Sequence, residues 1–107
     1  MSEEYTPEGS PGIESGVVLE EELKEPSMFR VRLHNDDYTT MDFVVMVLEE
    51  VFRKTAEEAE AIMLAVHEKG RGVCGVYPKE IAEFRVGQVL RRANEAGFPL
   101  LCTLEKE

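Results

Sequence analysis

The sequence predicts an α+β fold: one small domain in β-α-α-β-α-β order, with a three-stranded antiparallel sheet and helices on one face. Three observations carry this. Residues 28–34, MFRVRLH, alternate apolar and polar as a half-buried strand does. Two stretches, 41–52 and 78–96, carry apolar residues at helical spacing. Turn and cap signals separate the segments, and 107 residues suit one compact domain.

Residues 1–26 hold eight Glu, one Lys, three Pro and three Gly. Their apolar content is little more than Ile13, Val17–Leu19 and Leu23, too little to offset the entropy of ordering. A disordered acidic arm is expected over 1–26 and a core domain over 27–107. In the first strand Phe29, Val31 and Leu33 face one way and Arg30, Arg32 and His34 the other. NDDYTT (35–40) reads as a polar turn. Met41 to Phe52 reads as a helix with Met41, Val44, Val45, Leu48, Val51 and Phe52 inward.

Thr55 and Glu58 form a capping-box pattern for a second helix, which buries Ala59, Ile62, Met63 and Val66. Gly70 and Gly72 end it, and VCGVY (73–77) is a strand. Pro78 suits the first turn of a third helix, with Ile81, Ala82, Val86, Val89, Leu90 and Ala93 inward. Gly97 and Pro99 stop it, and LLCTL (100–104) is the last strand.

The formal charge of -10 argues against nucleic acid and anionic membranes as partners. Most of it sits in residues 1–26, at -7, against -3 for the rest. No run of apolar residues is long enough to span a bilayer, and the cytoplasm is the expected location. Cys74 and Cys102 lie in apolar runs without a CxxC pair, as buried free thiols do.

The unusual local feature is Asn35-Asp36-Asp37, in the loop between a strand and a helix. Two carboxylates and an amide accept several hydrogen bonds and suit an ammonium. The same residues also shape turns and cap helices, so alone they do not decide. Met41 and Val44 follow on the first helix, while Met63, Val66 and His67 share a face of the second. Such apolar positions serve cores as readily as pockets, and a histidine in a last turn suits the helix dipole.

If the two helices pack side by side, Asn35, Asp37 and His67 form a polar rim. Met41, Val44, Met63 and Val66 then line an apolar hole. A free N-terminal residue with a bulky side chain supplies both the amine and the plug. Burying that side chain contributes about 1.5–3 kcal/mol, and each charge-assisted hydrogen bond about as much before ordering costs. Together these reach micromolar affinity, about -8 kcal/mol.

Three other readings stand beside this one. Asp36, Asp37 and His67 serve an enzyme as acid and base, yet the sequence offers no activated nucleophile and no phosphate loop. His34, Asp36 and His67 hold a metal, though strand alternation sets His34 beside Arg30 and Arg32. Or the chain is a structural or ribosome-associated domain of like topology. The expectation is a protein that is not an enzyme and needs neither metal nor cofactor.

VRLHNDDYTTMDFVVMVL (31–48), IMLAVHEKGRGVCGVY (62–77) and PLLCTLEKE (99–107) closely resemble the ClpS adaptors of bacterial AAA+ Clp proteases, which serve the N-degron pathway. The likeness covers about residues 26–107. It implies that Asn35, Asp37 and His67 bind the substrate's α-amine and that Asp36 approaches its backbone. It implies a pocket wall of Leu33, Thr39, Met41, Val44, Met63, Val66 and Leu100, with Met41 a gate against β-branched residues.

Preferred first residues in the family are Leu, Phe, Tyr and Trp. Glu80 and Arg85 match positions that dock on the N-terminal domain of a ClpA- or ClpC-type unfoldase. The arm is implied in delivery, and a monomer is expected. Two departures stand out. Thr40 occupies a place where the family often has Pro, which loosens the expected turn, and Arg85 one where Lys is usual.

Overall fold

The computed structural model describes residues 27–107, so the acidic arm expected over 1–26 lies outside the described residues. The elements follow as β1 (Met28–His34), α1 (Met41–Glu50), α2 (Ala56–Lys69), β2 (Arg71–Pro78), α3 (Lys79–Ala96) and β3 (Leu101–Lys106). β1 is central, antiparallel to β2 on one side and β3 on the other. α3 lies against all three strands, α2 against β2, and α1 against α2.

Strand alternation in β1 sorts the two faces. Val31 and Leu33 are fully buried beneath the helices. Arg30, Arg32 and His34 are half-buried on the outer face. There Arg30 meets Glu107 at 3.5 Å, Arg32 pairs with Glu105, and His34 Nε2 lies 2.8 Å from Thr103 Oγ1. Val31 stands opposite Gly75 and Arg32 opposite Val73, so Cys74 is an extra residue, a bulge.

α1 is capped by Thr40, whose hydroxyl accepts from the Phe43 N–H at 3.1 Å. It stops at Glu50, two residues short of the expected Phe52. The chain turns at Arg53, in the left-handed region at φ 58, and the Lys54 N–H returns to the Leu48 carbonyl at 3.1 Å. The inward set is also wider than expected. Phe43 and Val47 are buried, whereas Met41 is 44% exposed. FVVMVL offers apolar side chains on every side, and α1 is enclosed by more than one neighbour; Phe43 packs against Phe98 with ring centres 4.9 Å apart.

α2 opens on the expected capping box. Thr55 Oγ1 accepts from the Glu58 N–H at 3.1 Å, and Glu58 Oε1 from the Thr55 N–H at 3.0 Å. It closes at Gly70, left-handed at φ 92. β2 begins at Arg71, two residues earlier than expected, because His34 and Leu33 of β1 pair with Arg71 and Gly72.

α3 begins one residue after Pro78 and ends on the left-handed Gly97. Ala82, Val89 and Ala93 are its buried stripe. Ile81 and Leu90, expected inward, are 44% and 41% exposed. A long helix lying on a flat sheet touches it along a narrow line, and residues to either side of that line stay in water. Cys74 and Cys102 are buried and free, on the strands flanking Leu33. Burial pushes the Cys102 thiol up to about 12 and raises that of Cys74 too, helped by Cys102 nearby. Among the described residues no helix is long and apolar enough to cross a membrane.

Candidate functional site

β1 runs straight into the turn at Asn35, and the turn's position is fixed by its backbone. The Asn35 N–H donates to the Gly70 carbonyl at 2.9 Å, tying the turn to the C-terminal end of α2. Gly72 lets α2 sit close on β2. A Cβ there would lie 2.9 Å from Val66 Cγ2 and 3.3 Å from the Ile62 carbonyl oxygen. These contacts bring residues some thirty positions apart in sequence to the two sides of one recess.

The recess has a volume of about 260 Å³. Asn35, Asp36, Asp37 and Thr39 come from the turn, Met41 and Val44 from α1, and Met63, Val66 and His67 from α2. The side-by-side packing that would let the two sets converge is therefore present. Leu33 and Leu100, implied as pocket wall, are buried in the core and are not among the lining residues. His34 also does not line it; its ring is held on the outer sheet face by Thr103. Among the described residues no three His, Cys, Asp or Glu side chains form a group able to hold a metal.

The two aspartates differ. Asp36 Oδ1 accepts from the N–H groups of Tyr38 at 2.8 Å and Thr39 at 2.7 Å, and its Oδ2 from the Thr39 hydroxyl at 2.7 Å. Partial burial works to raise its pKa, but the hydrogen bonds from Thr39 and Tyr38 outweigh it and hold the carboxyl below its ordinary value. Asp36 is thus a brace of the turn. Asp37 is exposed at the recess, and no hydrogen bond engages its carboxylate among the described residues. His67 is likewise exposed, in the last turn of α2.

The exposed Asn35, Asp37 and His67 make one edge of the recess polar, while buried Val44 and Val66, half-buried Met63 and the more exposed Met41 give it an apolar wall. Met is adaptable and fills against varied apolar shapes. Thr40 caps α1 with its hydroxyl, which no Pro does. Sequence reasoning missed that cap, the Asn35–Gly70 tie and the role of Gly72. The glycine pair at 70 and 72 was the available signal: one glycine closes a helix, and the second marks a close approach.

The implied docking residues lie apart from the recess, on α3. Glu80 is exposed in its first turn. Arg85 is half-buried, donating to the Val51 carbonyl at 3.2 Å and standing 5.9 Å from the centre of the Tyr77 ring. A planar, multiply donating guanidinium serves both contacts, which a Lys ammonium serves less well.

The fold and the recess together define a small α+β module with one compact cavity of mixed apolar and polar lining. Known proteins share its sequence pattern and fold. The family model described as ATP-dependent Clp protease adaptor protein ClpS matches residues 24–103. An ATP-dependent Clp protease adapter protein ClpS from Oleidesulfovibrio alaskensis is 62% identical over 93 residues, 87% of this chain and 89% of the relative. Another from Nitratidesulfovibrio vulgaris is 60% identical over 95 residues, 89% of this chain and 95% of the relative.

Among solved structures, Agrobacterium tumefaciens ClpS2 bound to L-phenylalaninamide superposes with a TM-score of 0.75 at 38% identity. The match covers 78% of this chain and all (100%) of that one. The chain belongs to the ClpS family of ATP-dependent Clp protease adaptor proteins, a family of adaptors and not of catalysts.

Proposed function

We propose that the recess captures other proteins by a free N-terminal residue with a bulky apolar side chain, Leu, Phe, Tyr or Trp. The observation that carries this is the meeting of Asn35, Asp37 and His67 with Met41, Val44, Met63 and Val66 around one cavity. The α-ammonium donates to Asp37 and Asn35, with a ring nitrogen of His67 as a further acceptor. The side chain fills the methionine- and valine-lined interior. Asp36 holds the turn and presents its remaining acceptor capacity to the substrate backbone just beyond the terminus.

An internal peptide segment has no ammonium and leaves Asp37 unmatched, so specificity comes from that mismatch. Phenylalaninamide, bound by the Agrobacterium relative, has this chemistry: a free amine, an aromatic side chain and an amide in place of the next peptide bond.

Captured substrates then pass to a Clp AAA+ unfoldase of ClpA or ClpC type for ATP-dependent degradation. Glu80 and Arg85 lie on the face that meets the unfoldase, and residues 1–26 serve the handover. The protein acts as a cytoplasmic monomer. The decisive experiment is a fluorescence-anisotropy titration with peptides that begin with Phe, Leu, Ile or acetyl-Phe. Micromolar or tighter binding of the Phe and Leu peptides is expected, with the Ile peptide weaker and the acetylated one unbound. Equal affinity for Phe and acetyl-Phe would remove the amine from the account.

A further inference from the structure

A second, open groove of about 560 Å³ lies where the starts of β1 and α3 meet the end of β3. Phe29, Pro78 and Ile81 give it an apolar lining, and Lys79 and Lys106 stand on its walls. Ile81 and Phe84, one helical turn apart, are 44% and 60% exposed. Ile81 lines the groove and Phe84 extends the apolar surface beyond it, and adjoining exposed apolar side chains call for a cover more than the same residues scattered singly do. Ser27, the first described residue, itself lines the groove, so the preceding chain enters beside it.

We propose that this groove is occupied by the chain's own segment 17–25, VVLEEELKE, with Leu19 and Leu23 seated against Phe29 and Ile81. Leu23 is four residues before Ser27, within a reach of about 14 Å. The segment carries four Glu and one Lys, a charge that complements Lys79 and Lys106, which outnumber Glu80 in the lining. A connection this short gives an effective concentration in the millimolar range, so even a weak contact is substantially populated.

Glu80 lines the same groove. On the proposed function, the unfoldase domain and the acidic segment therefore compete for one face. Docking on the unfoldase displaces the segment and frees it at the moment of delivery. That consequence rests on the proposed function; the groove contact itself does not.

The test is a nitroxide at Ser15→Cys in the full chain, read by amide NMR intensities. Cys74 and Cys102 are buried, so the label goes to the introduced thiol. Against the same labelled protein carrying Leu19→Asp and Leu23→Asp, the amides of Lys79–Phe84 should lose about half their intensity or more, as a contact near half-populated requires. The loss should be independent of protein concentration and reversed by the unfoldase's isolated N-terminal domain.

Equal intensities in the two proteins overturn the proposal. So does attenuation centred on the outer sheet residues Val73 and Val76, or a loss that grows with concentration, which indicates a second copy. Phe-peptide titration of both samples reads the recess separately. Binding there with no groove contact sinks only the groove, and groove contact with no binding sinks only the recess.

Discussion

At the scale of single residues, Asp36 and Asp37 divide the labour of one short turn. Asp37→Ala is expected to leave the fold intact, since the side chain is exposed, and to weaken Phe-peptide binding. Losing one charge-assisted hydrogen bond costs about 1.5–3 kcal/mol, a drop of roughly 10- to 150-fold in affinity measured by anisotropy. Unchanged affinity would rule out Asp37 as an anchor. Asp36 is expected to act through the turn instead. Its carboxyl is held below the ordinary value of 3.8, so its contribution to stability is complete above that pH and fades as pH falls through the lower folded value. The stability gap between the parent and Asp36→Asn, followed by urea melts, should be steady from pH 7 to 5 and close only below 3.8. A gap that closes between pH 7 and 5 would contradict this. The sequence showed the turn and its acidic character; which aspartate braces it and which is left exposed depended on the N–H groups that came within reach of Asp36, which spacing does not encode.

At the scale of elements, the recess depends on how closely α2 approaches β2, and Gly72 sets that distance. Gly72→Ala places a methyl 2.9 Å from Val66 Cγ2 and 3.3 Å from the Ile62 carbonyl, neither of them a flexible side-chain tip. Destabilisation of about 1–3 kcal/mol is expected in urea melts, with weaker peptide binding because Val66 lines the recess. Full stability with full binding would show that α2 has room to spare. Element order, the capping box at Thr55 and the glycine stops were legible because each is written in local chemistry. The inward sets of α1 and α3 were less so. Phe43 and Val47 are buried by neighbours that come from elsewhere in the chain, and Ile81 and Leu90 fit a helical stripe yet fall beside the line of contact.

At the scale of the whole molecule, the sheet's inner face carries both cysteines within one core shared by all the elements. Burial raises both thiol pKa values, and the thiolate is the reactive form. Alkylation at pH 8 should therefore proceed through unfolding, at least about a thousandfold slower than for a free cysteine. Urea should accelerate it in step with the loss of structure. Rapid labelling of the native protein would show that the core opens locally. Convergence of the recess residues was inferable from sequence only as a condition on how α1 and α2 pack; the bond from Asn35 to Gly70 is part of what meets it. That bond joins two main-chain atoms, so no side-chain substitution deletes it directly. The gauge of the opening is thereby separated from its chemistry. On the proposed function, an exchange at half-exposed Met41 is then free to change which terminus is preferred without renegotiating the width of the doorway.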